Sequence, residues 1–286
     1  MEGAFLERLS FQGPIVNGFF KDARFSELGF EGAHIEACNF TGASFNEVSF
    51  QDTIISGTDL SGATFSHCVF KGVTFQDCSL PKAIILDSEF SGETLFNGTD
   101  FTSGIVLESS FGDLSFTGSV LDWLLFRDSS IGNLGISGGS AKGLQLRFLT
   151  ATGLQASGLS LKGACFQASR FPGANLQGLD ISEANFQMAE LSKGSLKGCL
   201  AQKAMFDGAL LEGCDLAGID ATYADFSHAR LDGANLDSAK LVLANLHRAE
   251  GVDLSARYLD YTGARPTDPA LLRAEDFVPS TQRMRS

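Results

Sequence analysis

Cysteine and histidine are the residues of this sequence best suited to nucleophilic catalysis or metal binding. The 286 residues include six cysteines and four histidines. Thiolate and imidazole groups are preferred zinc ligands, and either group acts in nucleophilic catalysis when an acid or a base is held beside it. Both kinds of site require side chains that converge, so the elements that position these residues must be considered first.

Apolar residues recur every five positions along most of the chain. The series runs from Phe20 to Leu95, gains one extra residue near 96–98, resumes at Phe101 and continues to Leu246. We call each member of the series a centre. A small or apolar residue usually lies two positions before a centre, and glycine often lies two positions after it. A period of five fits neither a helix nor a flat strand, but it fits a chain that turns a corner every five residues.

Identical residues 20 positions apart indicate that four such corners close a square coil. In a solenoid, equivalent residues of successive coils stack on one another. Each fully buried Phe or Leu side chain in such a stack contributes about 2 kcal/mol. The predicted structural ladders comprise Phe30, Phe50, Phe70 and Phe90; Phe126, Phe166, Phe186, Phe206 and Phe226; and Leu176, Leu196, Leu216 and Leu236.

The five-residue pattern separates the cysteines from the histidines. Five cysteines lie two positions before a centre and are predicted to pack in the core. They are Cys38, Cys68, Cys78, Cys199 and Cys214. The histidines fall on outward positions of different corners, so we expect no metal site and no cofactor. They are His34, His67, His228 and His247.

Motifs for catalysis are absent from the sequence. It contains no G-x-S-x-G, no glycine-rich phosphate loop and no H-E-x-x-H. A rod whose interior is filled by side chains presents smooth faces, whereas catalysis needs a pocket with a positioned acid, base or nucleophile. We therefore expect no catalytic residues and predict that the protein is not an enzyme.

Residues 226–246, FSHARLDGANLDSAKLVLANL, carry a family resemblance. This segment resembles the pentapeptide repeat family, whose tandem motif is A-(D/N)-L-x-x, and the resemblance extends over most of the chain. It implies an all-β solenoid, a right-handed, four-sided parallel β-helix. With four centres in each coil we expect about 11–12 coils, or a rod about 55 Å long at roughly 4.8 Å per coil.

The two ends of the chain depart from the repeat. We predict an N-terminal cap over residues 1–19, the β-helix over 20–261 and a tail with a short helix over 262–286. Asp268 is the expected N-cap of that helix, and Pro269 its first residue. In some members of the family that this chain resembles, a C-terminal helix forms a dimer contact. Residues expected to form such a contact, or to cover the open end, are Leu271, Leu272 and Phe277.

Residues 132–160 form an irregular segment with two conceivable registers. Three centres here are alanine, and leucine precedes two of them by two positions. In the regular register, large and small side chains exchange places inside the core. A slipped register would turn Lys142 and Arg147 inward at a high free-energy cost, so we favour the regular register. The centres of the slipped alternative would be Leu144, Leu149, Leu154 and Leu159.

Charge limits the partners of the rod. The net charge is −13 overall, divided as −12 over residues 1–128, +4 over 129–179 and −5 over 180–286. An acidic protein is a poor match for DNA, RNA or an anionic membrane surface. With no transmembrane run, no secretory signal and no disulfide-like cysteine pattern, a cytoplasmic location is expected.

Two functions are consistent with these observations. The first is a non-catalytic scaffold or adaptor that binds an unidentified protein, in a secretion system or a regulatory complex. A localised apolar patch near an outward aromatic residue would favour it. The alternative, which the family resemblance implies, is a DNA mimic that binds DNA gyrase and protects it from quinolones. Acidic residues aligned over many coils would favour the mimic. The outward aromatic residues predicted to bind protein are Trp123, Phe148 and Tyr223.

Overall fold

A computed structural model describes residues 1–275, and it confirms the predicted four-sided parallel β-helix. Successive coils are 20 residues apart along most of the rod, as in the pairing of Phe25 with Phe45 and of Phe45 with Phe65. The strands are β1 (Phe5–Glu7), β2 (Ser10–Val16), β3 (Arg24–Ser26), β4 (Gly29–Glu36), β5 (Ser44–Asn46), β6 (Ser49–Gln51), β7 (Ile54–Ser56), β8 (Thr64–Ser66), β9 (Val69–Lys71), β10 (Thr74–Gln76), β11 (Ile84–Leu86), β12 (Glu89–Asn97), β13 (Ile105–Leu107), β14 (Ser110–Thr117), β15 (Leu125–Arg127), β16 (Ser130–Ser137), β17 (Gln145–Arg147) and β18 (Thr150–Ser157).

The strands lie on four faces, which we number in chain order within a coil. Face 1 is an eight-stranded sheet, β1-β3-β5-β8-β11-β13-β15-β17. Faces 2 and 3 share a ten-stranded sheet, because long strands such as β12 and β14 bend over the corner between them. Face 4 is held by isolated bridges, from Phe19–Asn39 to Val120–Ser140.

From about residue 160 the rod continues without strands. Each face is then connected by one bridge per coil. On face 1, six bridged levels follow the eight strands and extend the face to Arg265, so this face has fourteen levels. The rod is longer than the 11–12 coils expected, because the segments before residue 20 and after residue 261 also join it.

The core consists of stacked ladders, as predicted. The Phe70 ring is fully buried between Phe50 and Phe90, with centroids 4.8 and 4.2 Å away. The Phe126 ladder extends further towards the N-terminus than predicted. On face 1 it continues through Val106 and Ile85 to Phe65, Phe45 and Phe25. The other predicted ladder residues are also buried.

The extra residue lies earlier than the predicted 96–98. The register shifts after Phe90, between Phe90 and Glu93. Phe96 is consequently buried in the core, and Leu95, expected as a centre, points outward. Both residues are apolar, so the five-residue pattern alone does not distinguish them.

The regular register holds through the segment 132–160. Leu134 pairs with Leu154 and Ile136 with Ala156, so β16 and β18 stay aligned. Lys142 is exposed, as the regular register requires. Leucine and alanine therefore exchange volume inside the core without a slip.

The N-terminal residues differ from the predicted cap. Residues 1–19 form the first coil of the rod itself, in which Leu6 pairs with Phe25 and Phe11 with Phe30. Phe5, which the five-residue period places inside, is 63% exposed. The register of β2 shifts between Gln12 and Pro14, and this shift moves the centres of the first coil.

The predicted C-terminal helix is present as α1 (Pro269–Glu275). The Asp268 carboxylate accepts the backbone N–H groups of Ala270 at 2.7 Å and Leu271 at 3.3 Å, as an N-cap does. Among the described residues, no helix has the length and apolar character needed to cross a membrane.

The corners are of two kinds. At a tight corner, the backbone N–H three residues after a centre donates to the carbonyl of that centre, as Ala63 does to Leu60. At an open corner this bond is missing, and at several open corners a hydroxyl group of the next coil accepts the N–H instead. The Ser88 N–H donates to Ser109 Oγ at 3.2 Å, and the Ser109 N–H donates to Ser129 Oγ at 3.1 Å. These serines form a buried ladder along the corner between faces 1 and 2.

Candidate interaction surfaces

The cysteines are placed as the sequence predicts. The five predicted inward thiols are buried and unpaired, and Cys165 is half-buried on face 1. Burial raises the pKa of Cys68 and Cys78 to about 11 and that of Cys214 to about 12. A buried thiol that keeps its proton is a poor nucleophile, so these residues serve packing.

Two histidines converge, contrary to the sequence-based expectation. The rings of His228 and His247 are 5.5 Å apart, because they occupy diagonal positions on successive coils. His247 is only 4% exposed, although its position was predicted to point to solvent. A Glu275 carboxylate oxygen from α1 lies 3.4 Å from His228 Nε2, 3.3 Å from His247 Nε2 and 2.9 Å from an Arg248 guanidinium nitrogen.

This cluster has the residue types of a metal site, but its hydrogen bonds are those of a contact that holds α1 on the rod. His228, His247 and Glu275 offer ligand atoms within 4.8 Å of one another. However, the Asp268 backbone N–H donates to His247 Nδ1 at 3.0 Å, so a neutral His247 carries its proton on Nε2, facing Glu275. The Arg248 guanidinium also occupies the same carboxylate oxygen. The cluster therefore holds α1 against the side of the rod.

The charges in this anchor support one another. The hydrogen bond to Asp207, followed by that to Glu275, raises the pKa of His228. The hydrogen bond from Arg248, aided by His247 and His228, lowers the pKa of Glu275 to about 2. The carboxylate of Glu275 thus favours the protonated form of His228, and the cations around Glu275 favour its ionised form.

The helix residues predicted to cap or dimerise are only partly described. Leu271 is 47% exposed and borders a 400 Å³ hollow beside His228 and His247, and Leu272 is half-buried. Phe277 lies outside the described residues. Because Glu275 reaches His228, two coils before Asp268, α1 runs along the side of the rod. The open end itself keeps Tyr258 90% exposed. A dimer contact through α1 stays a prediction.

The three predicted outward aromatic residues all stand at corners. Trp123, Phe148 and Tyr223 are 61%, 48% and 58% exposed, and each has a positive φ near 60°. The Trp123 ring lies over Gly143 of the next coil, where a Cβ atom would collide with the ring. Phe148 has the Arg147 guanidinium over its ring at 5.7 Å. The structure does not bring the three aromatic residues together.

Beside Trp123, face 1 carries an apolar patch that the sequence analysis missed. Three successive strands of this face, β11, β13 and β15, point large aliphatic side chains outward as well as inward, and the outward ones are half-buried. The signal in the sequence is an aliphatic residue on both sides of the centre in two successive coils, and on the side before the centre in the next, where Arg127 follows it. We call this group the aliphatic patch: Ile84, Leu86, Ile105, Leu107 and Leu125.

A row of carboxylates follows the corner next to this patch. Asp87, Glu108 and Asp128 come directly after β11, β13 and β15, each with a positive φ that turns the chain onto face 2. Glu27 and Glu47 occupy the same position nearer the N-terminus, and the five carboxylates together are the acidic column.

The acidic column borders a long groove on its face 2 side. The groove has a volume of about 630 Å³ and ends at Phe148. Asp87 pairs with His67 at 3.0 Å and Asp128 with Arg127 at 2.7 Å. Within residues 1–275, Glu108 has no ion-pair partner. Aliphatic and acidic surfaces thus run side by side over three coils.

Solved structures of similar fold include several repeat proteins. The chain is similar to HetL of the cyanobacterium Nostoc sp. strain PCC 7120, a pentapeptide repeat protein involved in heterocyst differentiation regulation. The two sequences are 20% identical, the match covers 82% of this chain and 89% of HetL, and the TM-score is 0.31. The chain is also similar to QnrB1, a plasmid-mediated fluoroquinolone resistance protein, with 16% identity, coverage of 96% and 97%, and a TM-score of 0.33.

Sequence comparison identifies the family. No curated protein sequence is significantly similar to the chain. A profile described as pentapeptide repeat region matches residues 28–102, and one described as pentapeptide repeats (8 copies) matches residues 160–198 and 209–248. These matches together include just over half of the chain and coincide with the coils described above. The chain therefore belongs to the pentapeptide repeat family.

Proposed function

We propose that the protein is a non-catalytic rod that binds another protein through face 1. The aliphatic patch beside Trp123 carries this proposal. Elsewhere the outward positions of the strands are mostly polar or small, whereas here five aliphatic side chains adjoin one another over three coils. A contiguous apolar patch on a polar surface is typical of a protein interface, and tryptophan is one of the residue types enriched among interface anchors.

The remaining chemistry of the described chain supports a binding role. The inward thiols are protonated and buried, and the histidine cluster is occupied by its own Glu275 and Arg248. The groove beside the acidic column is lined mainly by carboxylates and by serines. The buried serines among these use their hydroxyls to bind the backbone. The six unpaired cysteines and the net charge of −13 support a cytoplasmic protein partner rather than a nucleic acid or a membrane.

Site-specific photo-crosslinking tests the use of face 1. A benzophenone amino acid replaces Ile105 on face 1 or, as the matched control, Ser115, which points outward from the following part of the same coil on face 3. In host cells, we expect the face 1 probe to give an adduct of discrete mass and the control to give none. The adduct should disappear when Leu125→Asp is added. Adducts of equal yield from both positions would contradict the proposal.

A DNA mimic that binds DNA gyrase is the second candidate, and the acidic column favours it. Five carboxylates share one corner between Glu27 and Asp128, broken only by His67. Beyond Asp128 the corner continues with Phe148 and Ala168, so the track ends halfway along the rod. A gyrase supercoiling titration, with and without a quinolone, tests this candidate. Inhibition or drug protection at micromolar protein would support it, and no effect at high concentration would reject it.

A further inference from the structure

We propose that the segment bound by face 1 is an amphipathic α-helix whose apolar stripe is bordered on one side by lysine or arginine residues. This inference rests on the proposed function, because it specifies the partner of the same surface. It is carried by the alignment of the aliphatic patch with the acidic column. In the coils containing β11 and β13, two outward aliphatic side chains are followed at the corner by a carboxylate, Asp87 or Glu108. In the coil containing β15, Arg127 stands between Leu125 and Asp128 and pairs with Asp128 at 2.7 Å.

The pairing of the strands excludes a bound β-strand. The backbone N–H and C=O groups of β13 are directed along the rod to β11 and β15, which pair with it on both sides. Face 1 therefore offers side chains only, and an added strand would find no backbone partner there. A helix satisfies its own backbone and needs nothing but side-chain contacts, so it suits this face.

The spacing of the coils matches a helix that lies along the rod axis. Levels of the rod repeat about every 4.8 Å, and turns of an α-helix about every 5.4 Å. Over the three levels of the patch, the two repeats drift apart by only about 1 Å. Leucine residues spaced three or four positions apart would thus meet successive levels of the patch.

The charges give the helix a preferred chemistry. Asp87, Glu108 and Asp128 follow one edge of the patch, whereas the opposite corner carries Lys82, Ser103 and Trp123. Glu108, in the middle of the acidic edge, has no ion-pair partner within the described chain. A lysine or arginine of the bound helix would neutralise it, and the groove beyond the corner has room for such a long side chain.

The test uses the full chain and two synthetic helical peptides of about five turns. Both peptides carry a leucine stripe at i, i+3, i+4 and i+7. One has lysine along a single flank of the stripe, and the other has glutamate at the same positions. Labelled-peptide anisotropy measures the affinity, and the emission of Trp123, the single tryptophan, reports where the peptide binds. We expect the lysine peptide to bind at least threefold more tightly, with a change in Trp123 emission.

Variants of the acidic column distinguish charge recognition from nonspecific hydrophobic binding. Glu108→Lys should lower the affinity for the lysine peptide three- to tenfold and raise the affinity for the glutamate peptide. Glu47→Lys is the matched control, because it stands on the same corner but beside Ser44 and Asn46 rather than the aliphatic patch, and it should change neither affinity. Equal effects of the two substitutions, or equal binding of the two peptides, would overturn the inference.

Failure of the inference can be separated from failure of the proposed function. Leu107→Asp, with its fold checked by far-UV circular dichroism, should abolish binding of both peptides. If it does so while the peptides bind equally, the apolar surface stands and the basic flank is wrong. If Leu107→Asp changes neither peptide, face 1 is not the binding surface and both proposals fail. A concentration-dependent dimer that Leu107→Asp dissociates would identify a second copy of the chain as the occupant and overturn the helix proposal.

Discussion

The coils before and after residue 160 belong to one β-helix but close their corners differently. Before residue 160, only the corner from face 4 to face 1 has the tight hydrogen bond, as in Ala23 to Phe20 and Ala83 to Leu80. In the coils that follow, all four corners have it, as the coil from Leu161 to Asp180 shows. The strands disappear at the same place, because a chain that turns tightly every five residues leaves one bridged residue per face.

The side chains next to the corners explain this difference. Many open corners of the first region place Ser, Thr or Cys just inside the turn, and a hydroxyl of the next coil accepts the N–H that a tight turn would use, as in Cys68 N–H to Ser88 Oγ at 3.1 Å. The second region places alanine at most of these positions. Its core also contains fewer phenylalanines, since 19 of the 25 precede residue 160. Corner type and core residue size thus change together along the rod.

The largest expected effect comes from the phenylalanine ladder of the first region. Phe70→Ala removes a fully buried ring between Phe50 and Phe90 and should lower the free energy of unfolding by about 3–5 kcal/mol. Urea denaturation followed by circular dichroism measures the loss. Leu211→Ala, on the same face in the second region, is the comparison. A loss below about 1 kcal/mol for Phe70→Ala would contradict the importance of ring stacking.

The serine ladder provides the next test of the comparison. Ser109→Ala leaves the buried Ser88 N–H without its acceptor, and we expect a loss of about 1–3 kcal/mol. Ser130→Ala, which removes an exposed hydroxyl from the start of β16 in the next coil, is the control and should be nearly neutral. Hydrogen exchange at the Ser88 amide locates the effect. If both variants are equally stable, the open corner does not depend on the hydroxyl.

The docking of α1 onto the second region should depend on pH. The pKa of His228 is raised first by Asp207, which belongs to the rod, and then by Glu275 of α1. Only the Glu275 contribution stabilises docking; it is present while the imidazole is protonated and is lost as pH rises through the raised value. The lowered pKa of Glu275 stabilises docking above its ordinary value of about 4.5, and this contribution is lost as pH falls towards about 2. We therefore expect the tightest docking above about pH 4.5 and below the raised pKa of His228.

Amide chemical shifts of Leu271 and Leu272 follow this docking in NMR titrations. His228→Gln should remove the alkaline limb of the profile and keep the acidic one. An unchanged alkaline limb in this variant would show that another group controls the release of α1.

The smallest effect is expected at Tyr223, the counterpart of Trp123 in the second region. Both residues occupy the same corner of the coil, but the aliphatic patch adjoins Trp123 only, whereas Leu243 of the next coil and Asp225 on face 1 are the neighbours of Tyr223 in the repeat. Tyr223→Ala should leave both stability, within about 0.5 kcal/mol, and peptide affinity unchanged. Trp123→Ala should lower the affinity for the lysine peptide. Equal losses of affinity would show that exposed aromatic corners bind irrespective of their neighbours.

The five-residue period was enough to predict the fold, the ladders and the inward cysteines, because each depends on repetition along the chain. It did not place the extra residue, since Leu95 and Phe96 are both apolar and the bulge at Gly92 has no side-chain signal. The aliphatic patch was not predicted, because its outward residues lie beside the centres, where the five-residue period carries no signal. The anchor of α1 joins Glu275 to His228, 47 positions apart, and no local pattern contains that contact.

The left-handed corners also have a consequence for protein engineering. Within residues 1–275, twenty-eight non-glycine residues hold a positive φ, a conformation that costs an L-residue roughly 1 kcal/mol and costs glycine almost nothing. Each such side chain is thus kept at the surface against a local energetic disadvantage. Glycine could therefore replace corner residues away from face 1, such as Asp52 or Lys193, to raise the thermal stability of the rod. These substitutions would leave the proposed binding surface unchanged.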